Sequence, residues 1–132
     1  MALDRRFTSV FALAFALELM VVVLGTPAAA QTYSVLHYFT GGSDGGSPQA
    51  GVTVGSPGTL YGTTEYGGTT GGGVVFQLKE RLSSWTLNPL YEFAEGTQDG
   101  YFPVAGVVIG PNGALYGTTP SGGTAGGYGN GV

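Results

Sequence analysis

The sequence Leu60-Tyr61-Gly62-Thr63-Thr64 returns unchanged as Leu115-Tyr116-Gly117-Thr118-Thr119, and this repetition decides the fold. The match extends from Asp44–Gly68 to Asp99–Gly123 at an offset of 55 residues, with 15 of 25 positions identical. A period of this length is typical of the blades of β-propellers rather than of helical solenoids. We therefore predict an all-β fold built from copies of one unit.

Each unit is expected to contain four short antiparallel strands, because β-prone runs alternate with turn residues. In the first copy these runs are Val52–Gly55, Thr59–Thr64, Val74–Leu78 and Trp85–Phe93, with residues 79–84 as a polar connection before the last. Pro89 has no amide hydrogen, so the fourth strand should lie at the edge of the sheet or contain a bulge. Four such strands are typical of one propeller blade, and we predict a partial, kelch-like β-propeller.

Two different turn sequences connect the first two strands of each copy. Pro57-Gly58 in the first copy suits a type II turn, and Asn112-Gly113 in the second suits a type I′ turn. Gly58, Asn112 and Gly113 are therefore predicted to be structural turn residues.

The amino end has the three-part pattern of a secretory signal peptide. Arg5-Arg6 precede an apolar run, Phe7–Leu24, and the small residues Ala28–Ala30 follow it. A transmembrane anchor is the alternative, but Glu18 would lie at bilayer depth. We expect cleavage after residue 30.

Residues 31–132 then form the mature β-repeat domain, with about one and three-quarter units. Tyr33–Phe39 matches the fourth strand of a unit, and Gly131-Val132 matches Gly73-Val74, where the third strand begins. We expect the domain to be incomplete at its carboxyl end.

Composition excludes several classes of partner. The mature region carries two cations and six anions, so its net charge is 2 − 6 = −4. Two cations cannot neutralise a run of phosphates or hold an anionic membrane surface. We expect no nucleic-acid binding, and no membrane binding unless a further segment anchors the chain.

The sequence contains no cysteine, so stability must come from strand pairing and stacking of units rather than from disulfides.

The motifs resemble the GloVer-type tandem repeats of secreted bacterial proteins. The shared elements are the Leu-Tyr-Gly-Thr-Thr core at Leu60–Thr64, the Gly67-Gly68 loop, the Val75–Leu78 strand and the Leu90–Phe93 strand. The resemblance covers essentially all of residues 33–132. It implies an exported, often surface-attached repeat protein whose biochemical role is unassigned.

The few ionisable side chains offer no catalytic arrangement. His37 is the only histidine and corresponds to Tyr91. We therefore interpret it as a polar strand residue rather than as a metal ligand or as the general base that activates a catalytic nucleophile. Asp44 and Asp99 each precede glycine, which favours a turn over a calcium site. Glu92 and Glu95 are expected to be solvated charges rather than a glycosidase pair. We predict no catalytic, metal or cofactor site.

The aromatic side chains are the best candidates for binding, because aromatic faces pack against sugar rings. Tyr61 and Tyr116 occupy identical strand contexts and are expected to pack between units, whereas Tyr66 and Tyr101 lie on predicted loops and are the ligand-contact candidates. We expect a secreted or cell-surface interaction protein that presents glycine-rich loops to an extracellular protein or carbohydrate. The alternative is a carbohydrate-binding module, or part of a propeller enzyme whose site lies in other blades.

Overall fold

Regular secondary structure is entirely β-strand in the part of the chain that the computed structural model describes, residues 30–95, 99–123 and 131–132. Val35–Val132 forms one compact unit. All pairs of strands are antiparallel, which confirms the predicted all-β class. The predicted signal peptide, residues 1–30, lies outside the described residues except for Ala30. No helix that could span a membrane occurs within those described ranges.

The first copy forms a four-stranded sheet in which each strand pairs with the next along the chain. The strands are β1 (Thr53–Val54), β2 (Thr59–Thr64), β3 (Val74–Arg81) and β4 (Ser84–Glu92). β4 lies at the edge, and the pairing register shifts between Val75, opposite Tyr91, and Phe76, opposite Pro89. The missing amide hydrogen of proline explains why this strand is an edge strand with an irregularity.

The hairpin between β3 and β4 is longer than the sequence pattern predicted. Arg81 pairs with Ser84, so the expected polar connection at 79–84 is instead the end of two strands joined by two residues. Leu82, the first of these, has φ +58° and is fully exposed. Two-residue hairpins need positive φ at this position because that twist matches the flanking strands.

The second copy forms two separate pairs rather than one four-stranded sheet. β6 (Val108–Ile109) pairs with β7 (Leu115–Tyr116), and β5 (Gly100–Tyr101) pairs with β8 (Ser121–Gly122). The single Gly46–Tyr66 bridge is the first copy's counterpart of the β5–β8 pair. The predicted strand at 33–39 is wrong, since those residues lie in no strand. The described residues contain no closed sheet.

The core lies on one face of β3. Val74, Phe76 and Leu78 are buried, because alternate residues of a strand point to the same face of the sheet. Half-buried side chains from three other segments pack against them: Phe39, Leu60, Trp85 and Leu87. Gly62 makes room for the Phe76 ring, since a Cβ there would lie 2.5 Å from Phe76 Cζ.

The two β1–β2-type turns share a left-handed glycine. Gly58 has φ +71° and follows Pro57, and the Thr59 amide donates to the Ser56 carbonyl at 2.9 Å. In the second copy Gly113 has φ +80°, and its amide donates to the Gly110 carbonyl. Asn112 does not have positive φ, so the type I′ turn predicted there is wrong. Its Oδ1 instead accepts from the Ala114 amide at 3.1 Å, and this side-chain hydrogen bond stabilises the turn.

The second copy joins the first sheet through the segment 102–107. The hydroxyl of Thr63 in β2 donates to the Ala105 carbonyl at 2.9 Å, and that of Thr53 in β1 donates to the Val107 carbonyl. Pro103 is fully buried against Gly73. Threonine hydroxyls of the first sheet thus satisfy carbonyls of the second copy, and they set the spacing between the copies.

Candidate functional site

Asp44 ties the segment before the first copy to the turn that opens it. Its Oδ2 accepts from the Thr40 amide at 2.9 Å and lies 3.1 Å from His37 Nε2, while Oδ1 accepts from the Thr40 hydroxyl. The Thr40 hydroxyl, with smaller contributions from the Thr40 amide and His37, lowers the pKa of Asp44 below its usual value. Gly45, which follows in the turn, has φ +90°.

Asp99 makes the equivalent contact in the second copy. The Tyr91 hydroxyl donates to Asp99 Oδ2, so Tyr91 and Asp99 match His37 and Asp44 in role. This hydrogen bond, assisted by burial and by the carboxylate's charge, raises the pKa of Tyr91. The repeated Asp-Gly therefore does more than form a turn, because its carboxylate holds the segment that precedes it in both copies.

Each of these segments also carries an edge-to-face aromatic pair. The rings of His37 and Phe39 lie 4.8 Å apart at 83°, and those of Tyr91 and Phe93 lie 5.0 Å apart at 77°. His37 is therefore placed as the polar counterpart of Tyr91, as its position in the repeat indicates. Among the described residues no group of histidine and acidic side chains could hold a metal ion.

The ligand-contact candidates Tyr66 and Tyr101 are brought together by a residue that sequence analysis missed. Phe102 lies between them, with its ring 5.3 Å from that of Tyr66 and 4.8 Å from that of Tyr101. We call these three residues the aromatic row. Tyr66 is 47% exposed, whereas Tyr101 is half-buried. Tyr101 lies in β5 rather than on a loop, whereas Tyr66 lies outside the strands and makes a single bridge to Gly46.

The backbone at Phe102 explains how the row forms. Phe102 has φ +60°, and its counterpart one repeat earlier, Ser47, has φ +53°. Both residues precede proline, which favours extended backbone with negative φ, so the left-handed conformation at these two positions is unusual. The repeated residue–proline pair was the only sequence signal for this position. A left-handed conformation at a bulky residue carries strain of about 1–3 kcal/mol, which the buried Pro103 and the Phe102 amide's bond to the Gly72 carbonyl offset.

Polar groups lie beside the exposed end of the aromatic row. The Glu65 side chain, through hydrogen bonding and through its negative charge, raises the pKa of Tyr66. The Gln49 side-chain amide donates to Glu65 Oε2 at 2.9 Å. An aromatic face flanked by a carboxylate and an amide can pack on and hydrogen-bond a polar ring ligand.

Glu92 also binds the glycine-rich loop, a contact that sequence analysis missed. Its Oε2 accepts from the Thr69 amide at 2.6 Å and from the Thr69 hydroxyl at 2.7 Å, and these bonds lower the pKa of Glu92. The Thr70 hydroxyl donates to the Phe93 carbonyl at 2.8 Å. Glu92 therefore anchors the glycine-rich loop 66–73 to the end of β4, a structural use of the carboxylate.

An apolar groove of about 330 Å³ lies between the two copies. The first sheet contributes the face of β3 and β4 opposite the core, and the second copy contributes β7 and the segment before β6. We call it the inter-copy groove, and its main lining residues are Val75, Phe93, Val107, Leu115, Gly117 and Val132.

Comparison with known proteins agrees with the repeated architecture. A family model described as the Gloeobacter/Verrucomicrobia repeat matches residues 21–132. No curated protein and no solved structure matches the chain. The matched region includes both copies of the Leu-Tyr-Gly-Thr-Thr core, the glycine-rich loops and the strand motifs described above. The chain therefore belongs to the Gloeobacter/Verrucomicrobia repeat family, the GloVer-type repeats that its motifs resemble.

Proposed function

We propose that this chain is an exported structural repeat protein that presents glycine-rich loops to partners outside the cell. Its units are blades of a propeller-like arrangement, and it acts by binding rather than by catalysis. Membership of a repeat family supports this proposal. So does the four-stranded antiparallel sheet with sequential strand order, since that is the arrangement of a blade.

One observation carries the proposal, namely that the two copies have the same left-handed backbone at four matched pairs of glycines. The pairs Gly58 and Gly113, Gly67 and Gly122, Gly68 and Gly123, and Gly73 and Gly131 all have φ between +71° and +101°. The hydroxyls of Thr64 and Thr119 each donate to the carbonyl two residues on, both at 3.0 Å. Interchangeable units favour a scaffold, whereas an active site requires one copy to differ in its chemistry.

The loops presented by such a scaffold are anchored at their base. Loop 66–73 packs its glycines against the preceding loop, where a Cβ at Gly67 would lie 2.6 Å from the Gly45 Cα. Glu92 accepts a hydrogen bond from the Thr69 amide in the middle of the loop, where Thr69 and Thr70 are exposed. A loop held in this way can present its exposed surface to a partner without a large loss of conformational entropy on binding.

Export with cleavage of residues 1–30 is the part of the proposal that one experiment can test. The chain would be expressed with its own leader in a bacterium, and the culture medium and intact cells treated with protease would be compared. We expect protein in the medium or on the surface, with Gln31 as its first residue. A matched version without residues 2–30 should stay inside. Protein that retains Met1 and is protected in intact cells would contradict the proposal.

Carbohydrate binding at the aromatic row is a second candidate, and the alignment of Tyr66, Phe102 and Tyr101 beside Glu65 favours it. Titration with a panel of oligosaccharides, followed by NMR, should shift signals of these residues. Y66A should abolish the shifts, whereas Y116A, which removes a tyrosine of similar exposure elsewhere, should not. If no sugar shifts the row, the carbohydrate candidate is wrong and the scaffold proposal is unaffected.

A further inference from the structure

The aromatic row lies at the junction between the first and second copies, and both sides of this junction belong to the described chain. Tyr66 belongs to the first copy, whereas Tyr101 and Phe102 belong to the second. The Tyr66 amide donates to the Gly46 carbonyl at 3.1 Å, and the Phe102 amide donates to the Gly72 carbonyl at 2.8 Å. Backbone hydrogen bonds thus hold the row from both sides, which reduces the entropy that a bound ligand would cost.

The side chains at this junction are not repeated, although the backbone is. Ser47 and Phe102 share the left-handed conformation, with φ +53° and +60°. At the offset of 55, every residue of the row and its polar neighbours differs from its counterpart: Glu65 and Tyr66 from Pro120 and Ser121, Tyr101 and Phe102 from Gly46 and Ser47, and Gln49 from Val104. A bulky ring at a strained position where the other copy has a serine indicates a role beyond folding.

The three rings meet at steep angles rather than forming a flat platform. The ring plane of Tyr66 is inclined at 62° to that of Phe102, and the plane of Tyr101 at 83°. A compact group in the corner between two such rings can contact a face of each. Because the face of an aromatic ring carries the negative part of its quadrupole, it attracts cations. The row therefore favours a positively charged group.

A carboxylate that has no cationic partner lies beside the row. Glu65 is half-buried and forms no ion pair with any residue that the structure describes. Its Oε2 accepts from the Gln49 side-chain amide at 2.9 Å, which leaves lone pairs of the carboxylate for further donors. The cations of residues 31–132 are Lys79 and Arg81, and Lys79 pairs with Thr59 at the opposite end of the β2–β3 ladder. Any cation at Glu65 must therefore come from a partner, and the net charge of −4 attracts one.

We propose that the corner formed by Tyr66 and Phe102 beside Glu65 binds an arginine side chain of a polypeptide partner. The planar guanidinium lies against a ring face, and its N–H groups donate to the Glu65 carboxylate. A guanidinium suits both contacts because it is weakly hydrated, stacks on aromatic faces and carries its donors in its own plane. This inference rests on the proposed role in binding partners outside the cell, and it names the chemical group that a partner supplies.

The test is an NMR titration of the purified chain with N-acetyl-arginine amide, whose only charge is the guanidinium. We expect saturable shifts in the aromatic signals of Tyr66 and Phe102 and in the side-chain amide of Gln49, with a Kd on the order of 10 mM. The matched ligand is N-acetyl-citrulline amide, which has nearly the same shape and a neutral urea group. It should bind about three- to thirtyfold more weakly, because it lacks the charge that both contacts require.

Variants of the chain locate the binding site. E65Q keeps an oxygen that accepts from Gln49 but removes the charge, and should weaken binding of the arginine ligand about two- to fivefold. The matched control is E80Q, which removes the same charge from an exposed carboxylate near the far end of β3 and should bind normally. Y66L removes a ring face and should weaken binding about two- to fivefold. Y116L, at a tyrosine of similar exposure in the second copy, should bind normally.

Three results would overturn the proposal. They are equal binding of the arginine and citrulline ligands, unchanged binding by folded E65Q and Y66L, and shifts at the row with an oligosaccharide but none with the arginine ligand. If a variant does not fold, the two ligands still decide the question, because they leave the protein unaltered. Binding by the purified chain does not depend on export, so a chain retained inside cells would contradict the proposed function and leave this result unaffected.

Discussion

The two copies of the repeat share their turns and differ in their core. The first copy has a four-stranded sheet with Val74, Phe76 and Leu78 buried on β3. The second copy has left-handed glycines at Gly113, Gly122 and Gly123, as the first has at the matched positions, and its Asp99 makes an equivalent contact, but its described strands form two short pairs. Local residues are therefore sufficient for the turns. The buried core is built on the third strand, which the described residues contain in the first copy only.

The largest expected effect is loss of the first copy's core. F76A removes a buried ring that contacts Phe39 and fills the space over Gly62, and should destabilise the chain by about 3–5 kcal/mol. Urea unfolding followed by circular dichroism would measure this. F39A should destabilise more than F93A, because the counterpart ring Phe93 faces the groove instead of a buried side chain. Equal effects of F39A and F93A would contradict the difference between the copies.

Matched glycine substitutions test the same difference with a smaller expected effect. G62A places a methyl group 2.5 Å from Phe76 Cζ and should destabilise by about 1–3 kcal/mol through overpacking. G117A, at the identical position of the second copy, should change stability by less than about 0.5 kcal/mol. Thermal melts of the two variants check the prediction. A larger loss for G117A would mean that the groove is filled in solution.

The turn glycines should behave alike in both copies, because their conformations are alike. G58V and G113V each force a β-branched residue to positive φ, which costs about 1–2 kcal/mol. G58V should be slightly worse, since its Cβ would also approach Glu80, whereas nothing lies within 4 Å of a Cβ at Gly113. Denaturant midpoints compare the two. If either variant keeps full stability, the left-handed turn there is wrong.

The two aspartate contacts should make folding stability depend on pH in different ranges, acidic for the first copy and alkaline for the second. The pKa of Asp44 is lowered in the folded state, so its contribution is present at neutral pH and is lost as the pH falls below about 4. The pKa of Tyr91 is raised, so its contribution is present below about pH 10 and is lost as the pH rises above it. D44N should flatten the acid limb of stability and Y91F the alkaline limb, each by about 1 kcal/mol or less. Midpoints measured from pH 2 to 11 would show this, and an unchanged acid limb in D44N would contradict it.

The sequence predicted those parts of the fold that depend on local pattern. The four strands of the first copy and the edge position of β4 follow from β-prone runs, turn residues and the missing amide of Pro89. The two-residue hairpin at Leu82 was missed, because leucine is not a residue that favours positive φ. The similarity of Leu36–Phe39 to Leu90–Phe93 predicts a strand at 33–39, but no strand pairs with that segment in the described residues.

Side-chain contacts between segments were less accessible to sequence analysis. His37 and Asp44 are separated by seven positions and Tyr91 and Asp99 by eight, so their meeting depends on how the chain reverses between them. Periodicity carries no information on such a reversal. Phe102 was missed for the same reason, because its position in the aromatic row follows from a left-handed backbone conformation before Pro103.

Hydrogen exchange at the matched strands tests most directly the claim that the copies share their turns but differ in their sheets. The amides of β2, paired on both sides, should be much better protected than those of β7, paired on one side. The amides of Gly55 and Gly110, each bonded across its turn at 2.8–2.9 Å, should be protected to a similar extent. Equal protection of β2 and β7 in the isolated chain would contradict the claim.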